Sequence, residues 1–75
     1  MAAVLHLVKS RARDELVRVT VGQQLAHRDA VTVALLHGVA GPALPAGVRI
    51  LRVPGDLAYD GLLELIFASD HVVTW

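Results

Sequence analysis

Short, strongly apolar runs alternate along this chain with longer stretches whose apolar positions recur every three or four residues, the pattern of strands alternating with helices. Val4-Leu5-His6-Leu7-Val8 is apolar at nearly every position and is bounded by Lys9, Ser10 and Arg11. Such a run predicts a strand covered on both faces, as in parallel sheets. Ser10 follows as a candidate helix cap, and Asp14 and Glu15 fall in the first turn, where the helix dipole favours negative charge. Leu16, Val17, Thr20, Val21, Gln24 and Leu25 then trace one stripe and predict a helix over about 12–27. Val17, Val19 and Val21 also alternate with Arg18 and Thr20 as they would in a strand, but the length of the segment and its start signals decide for the helix.

Arg28-Asp29 breaks that helix, and residues 30–36 form a second apolar run centred on Val31, Val33 and Leu35 and closed by His37-Gly38. Residues 39–47 contain Gly41, Pro42, Pro45 and Gly47, which rule out a regular helix and predict a loop. A third strand is expected over 48–53, with Pro54-Gly55-Asp56 turning the chain out of it. A final helix over about 59–68 is expected to place Leu62, Leu63, Ile66 and Phe67 on one side, with Asp60 at its start, and 72–75 reads as a fourth strand. The order strand, helix, strand, loop, strand, helix, strand implies one α/β domain over 1–75. Its expected form is a small three-layer or two-layer sandwich on a mostly parallel four-stranded sheet with right-handed crossovers. Two helices are few for a sheet that needs cover on both faces. Part of the sheet is therefore expected to be covered by another subunit.

Composition strengthens that expectation. A 75-residue chain buries only about 60 to 65% of the surface its unfolded form exposes. Yet 55% of the residues are hydrophobic, above the roughly 45 to 50% usual in soluble domains. There is no cysteine to form a disulfide, and the four histidines make no compact ligand set, so no cofactor or metal is expected. Zero formal net charge argues against a general binder of nucleic acid or anionic membrane. The charges are nonetheless polarised: residues 1–28 carry five Lys and Arg against Asp14 and Glu15, whereas residues 54–75 carry Asp56, Asp60, Glu64 and Asp70 and no cation. No apolar run approaches the ~18 residues of a membrane helix, and the basic residues near the start follow the apolar run rather than precede it, so a cytoplasmic protein is expected.

Candidate chemistry is sparse. No glycine-rich phosphate loop, nucleophile elbow or zinc-helix motif occurs. The only serines, Ser10 and Ser69, sit at helix boundaries where capping explains them, so no catalytic residue is assigned and no enzyme is expected. His6, inside the first strand, reads as a satisfied core or interface histidine, and His27 and His71 have no assigned role. His37 falls at the carboxyl end of a predicted parallel strand, where open α/β sheets place ligand crevices, and is a ligand-site candidate. Asp60 is a second, although an acid at a helix start is more simply a partner of the dipole. Three aromatic side chains cannot build a base-stacking platform.

Val4-Leu5-His6-Leu7-Val8, then 29–39 with His37-Gly38-Val39 at the turn, 46–51 running on to Asp56-Leu57, and finally Tyr59-Asp60-Gly61-Leu62-Leu63-Glu64-Leu65 through Trp75 occur in an order that resembles the TusB/DsrH family, small subunits of DsrE-like sulfur-relay complexes. The resemblance implies a DsrE-like α/β fold and a hetero-oligomer with DsrE/TusD-like and DsrF/TusC-like subunits, serving tRNA wobble-uridine thiolation or sulfur-oxidation trafficking. Two departures accompany it. Family members are usually longer, with a helix expected where 39–47 lies and a further segment before Tyr59. The chain also lacks the thiolate that must attack and carry sulfane sulfur. The resemblance therefore implies a non-catalytic structural subunit, with Tyr59, Phe67 and Trp75 as interface anchors. The alternative is a self-associating α/β module that holds a small anionic ligand near His37-Gly38 and Pro54-Gly55, without direct contact to nucleic acid or membrane.

Overall fold

The computed structural model describes residues 2–75 and contains β1 (Ala3–Val8), α1 (Asp14–Ala26), β2 (Ala30–Leu36), β3 (Arg49–Val53), α2 (Tyr59–Ala68) and β4 (His71–Thr74). The strands form one sheet in the order β3-β2-β1-β4, and every pairing is parallel, so the fold is α/β as expected. β1 is central: Val4 and His6 lie beside Val31 and Val33 of β2 on one side and beside His71 and Val73 of β4 on the other. Parallel neighbours need long crossovers, and α1 supplies one between β1 and β2, while α2 carries the chain from β3 across the sheet to β4. The β2–β3 crossover is made by the proline- and glycine-containing loop, without a helix.

Alternation along the strands sorts the core into two layers. On one face, Val8, Val31, Val33 and Leu35 pack against Val17 and Val21 of α1, with Val39, Leu44 and Val48 of the loop region at the margin. On the other face, Leu5, Ala34 and Val53 pack against Leu62 of α2. One helix per face makes three layers, and full burial of a valine or leucine side chain contributes about 1.5 to 3 kcal/mol.

At the amino edge, two aspartates fasten the start of β1. Asp29 Oδ1 accepts from Ala2 N at 3.1 Å, and Asp70 Oδ2 accepts from Ala3 N at 2.8 Å. Each aspartate directly precedes a strand that pairs with β1. At the other edge, Asp56 closes the turn after β3, its side chain accepting from Arg52 N at 3.0 Å and its own N–H donating to Arg52 O at 2.7 Å.

Several local expectations are corrected. Ser10 does not cap α1; the cap position is Arg13, with no side-chain bond. The helix starts at Asp14, too far along the chain from Ser10, and Asp14 faces the Arg11 guanidinium at 2.9 Å. The cap position of α2 is Ala58, and Asp60 does lie in the first turn, as expected of a partner of the helix dipole. Ser69 does act at a helix boundary, its hydroxyl donating to Leu65 O at 2.7 Å. The inward arc of α2 is Leu62, Leu65 and Ile66, whereas Leu63 and Phe67 point out. Leu16 of α1 is likewise exposed, because Val17 and Val21 occupy the centre of the contact and a neighbouring residue lies 100° round the helix.

Candidate functional site at the carboxyl edge of the sheet

In open parallel sheets, a crevice forms at the carboxyl ends of strands whose connections leave toward opposite faces. β2 and β3 do this here. The loop after β2 packs on the α1 face, while the chain after β3 enters α2 on the other. His37 follows β2 with φ 55, and Gly38 comes next with φ 72; this left-handed pair turns the chain sharply out of the sheet. The His37 N–H donates to Val53 O at 3.2 Å, tying the turn to the end of β3. Tyr59, the first residue of α2, brings its hydroxyl to 3.5 Å from His37 Nδ1, with ring centroids 6.4 Å apart and tilted by 41°. The contact is at the long limit of a hydrogen bond, so it holds the two rings only weakly together. Asp60 is exposed beside Tyr59, with no recorded bond to His37.

On the α1 face of the same corner lies a cleft of about 390 Å³ between the β2–β3 loop and the sheet. Leu35, Val39, Pro42, Leu44 and Ile50 give it apolar walls, and Arg52 is its one charged side chain. Arg52 and Ile50 alternate with the α2-facing Leu51 and Val53, a strand pattern that could have marked Arg52 beforehand. The corner's polar side chains, the His37 imidazole and the Tyr59 hydroxyl, can hold a group by hydrogen bonding.

A second constellation lies inside the domain. His6 is fully buried on the α1 face. Its Nδ1 accepts the Trp75 indole N–H at 2.8 Å, and its Nε2 lies 2.6 Å from Gln24 Oε1 of α1. An indole can only donate, which places the imidazole hydrogen on Nε2, where it is donated to Gln24. The Trp75 and His6 rings stack with centroids 5.9 Å apart and planes 25° apart. Both imidazole nitrogens are thus engaged, as expected of a satisfied core histidine. Trp75 is half-buried against the α1-side core, and its backbone N–H continues the β4 ladder onto Leu7 O at 2.9 Å. Sequence reasoning did not pair Gln24 with His6. A glutamine on the apolar stripe of α1, opposite a strand that carries a buried histidine, was the available signal.

The remaining candidates are on the outer surface of α2. Tyr59, Leu63 and Phe67 are 50%, 55% and 84% exposed and, at spacings of four, form a continuous stripe flanked by Asp60 and Glu64. Phe67 and Tyr59 share this stripe, while Trp75 is held on the opposite face of the sheet.

Among the described residues, no three His, Asp or Glu side chains are grouped to hold a metal ion. No described helix is long and apolar enough to cross a membrane. The fold and this corner define the chain as a small, open, all-parallel α/β domain. Compared with known proteins, it matches no family model, no curated protein and no solved structure.

Proposed function

We propose that this chain is a non-catalytic assembly subunit of a cytoplasmic sulfur-relay complex, of the TusB/DsrH type, whose reactive thiol belongs to a DsrE/TusD-like partner. The observation that carries the reading is the Tyr59–Leu63–Phe67 stripe, an apolar helix surface left open in a domain with no thiol. Aromatic residues surrounded by charge are typical anchors of subunit contacts. The ordered resemblance to TusB/DsrH supplies the kind of complex: one that moves sulfane sulfur toward tRNA wobble uridine or through sulfur-oxidation trafficking. In this role the chain supplies contact surface and the partner supplies the nucleophile.

Co-expression with candidate DsrE/TusD-like and DsrF/TusC-like proteins, followed by affinity purification and mass measurement of the assembly, tests the proposal. A stable complex of fixed stoichiometry that Phe67→Glu disrupts is the expected result. Failure of every cysteine-bearing DsrE-like protein to bind defeats it.

A second reading is favoured by the approach of His37 and Tyr59 to 3.5 Å at the carboxyl edge. It is a module that holds a small anion between the imidazole and the phenol. Titration with inorganic phosphate and with nucleotides, followed by NMR at the His37 ring, should show saturable shifts that His37→Ala removes. Unchanged spectra eliminate this reading.

A further inference from the structure

The cleft on the α1 face of the carboxyl edge serves neither reading above: His37 and Tyr59 do not line it, and the Tyr59–Leu63–Phe67 stripe lies on α2, across the sheet. The β2–β3 loop runs so close to the end of β2 that a Cβ added at Gly41 would lie 2.7 Å from Leu35 Cδ2. Val39 and Leu44 of this loop are anchored against the α1-side core, while Ile50 of β3, which also lines the cleft, is still 45% exposed. The space of about 390 Å³ falls in the range of small-molecule sites and has room for roughly a dozen non-hydrogen atoms. Arg52 is the one charged side chain in its lining, and no acid lines it. Among the described residues, the Arg52 guanidinium has no ion pair. Asp56, the nearest acid along the chain, gives its carboxylate to Arg52 N at 3.0 Å, and Asp14 and Glu15 of α1 are paired with Arg11 and Arg18. Arg49 belongs to the α2 side of the strand, where it shares a groove with Glu64.

We infer that this cleft binds a small monocarboxylate with a compact apolar body, the carboxylate on Arg52 and the hydrocarbon against Leu35, Val39, Leu44 and Ile50. A guanidinium presents two parallel N–H donors that match the two oxygens of a carboxylate. One guanidinium balances one negative charge, whereas a phosphate dianion would leave its second charge unpaired beside apolar walls. The walls select in the other direction. A body of roughly eight carbons fills the space that the carboxylate leaves and covers Ile50, while an ion without such a body gains nothing from them. The inference goes beyond both functional readings and depends on neither, because its residues belong to neither the α2 stripe nor the His37–Tyr59 pair.

Methyl-resolved NMR of the full chain, titrated with hydrocinnamate, tests it. Saturable shifts are expected at the methyl groups of Leu35, Val39, Leu44 and Ile50, with a Kd of about 1 mM or below. Hydrocinnamamide keeps the shape without the charge and acetate keeps the charge without the body, so each should bind at least about tenfold more weakly. Arg52→Gln should weaken hydrocinnamate by about tenfold or more and bring it level with the amide. Arg52 is exposed and its bonds to the turn run through its backbone, so the variant is expected to fold, which far-UV circular dichroism verifies. Ala40→Glu supplies a second variant on the exposed rim, where the new carboxylate should repel the ligand or occupy Arg52, with the same loss. Inorganic phosphate should leave the cleft methyls unmoved, and phosphate that displaces hydrocinnamate overturns the choice of ligand. The His37 ring is followed in the same titrations, so the anion-module reading and this inference fail separately. Absence of saturable shifts, equal affinity for acid and amide, shifts confined to residues outside the cleft, or variants that bind as the wild type does would each overturn the inference.

Discussion

Trp75→Phe removes one hydrogen-bond donor from a buried acceptor while keeping an aromatic ring in place. In the native domain, the indole N–H lies 2.8 Å from His6 Nδ1, and His6 is fully buried, so no water stands ready to replace it. Stranding a buried acceptor costs about 1 to 3 kcal/mol, and the smaller ring sacrifices some packing besides. A loss of about 2 kcal/mol is expected. A domain of this length has roughly 4 to 11 kcal/mol of total stability, so the change is a large fraction of it. Each kcal/mol shifts Tm by about 4 to 8 °C in domains of this size, giving a fall of roughly 8 to 16 °C. Urea unfolding followed by far-UV circular dichroism measures the difference directly. The same substitution in a His6→Leu background should cost less by about 1 to 2 kcal/mol, because the acceptor is already gone. An equal cost in both backgrounds, or a cost below about 0.5 kcal/mol in the first, refutes the bond as a stabilising contact.

Leu62→Ala should destabilise by about 2 to 4 kcal/mol because Leu62 is the buried residue of α2, whereas Phe67→Ala, five residues on, should stay within about 0.5 kcal/mol in the monomer; equilibrium unfolding at low concentration distinguishes them. Gly22 lies in the interior of α1 with no atom within 4 Å of an added Cβ, so Gly22→Ala should stabilise by about 0.5 to 1 kcal/mol, measured as a rise in Tm. Asp70→Ala removes the acceptor of Ala3 N at 2.8 Å and should cost about 0.5 to 1.5 kcal/mol, with faster amide exchange at Ala3; unchanged exchange there argues against the clasp.

Much of the architecture was legible because β1 and β2 are apolar at successive positions, which only a sheet covered on both faces can use. The boundaries of β2 and α2 fell where the turn residues placed them. The inward face of α2 was harder. Leu62, Leu63, Leu65, Ile66 and Phe67 are all apolar, and a one-dimensional pattern cannot tell which arc meets the sheet when nearly the whole helix is hydrophobic. The cap of α1 was misplaced because Ser10 satisfies the local rule, yet the chain takes a further turn before helical hydrogen bonding begins. At the carboxyl edge, position along β2 marked His37, but its approach to Tyr59 depends on α2 starting beside the end of β2, 22 residues later. The His6–Gln24–Trp75 network likewise ties β1 and α1 to the far end of the chain, 69 residues after His6.

Trp75 is the protein's single tryptophan, and it meets β1 through ring stacking, a side-chain bond and a backbone bond. The domain therefore carries its own optical probe at the junction of its two most sequence-distant strands. Emission from that indole changes when β4 leaves β1 and the α1-side core, so unlabelled protein can report the docking of its last strand in real time.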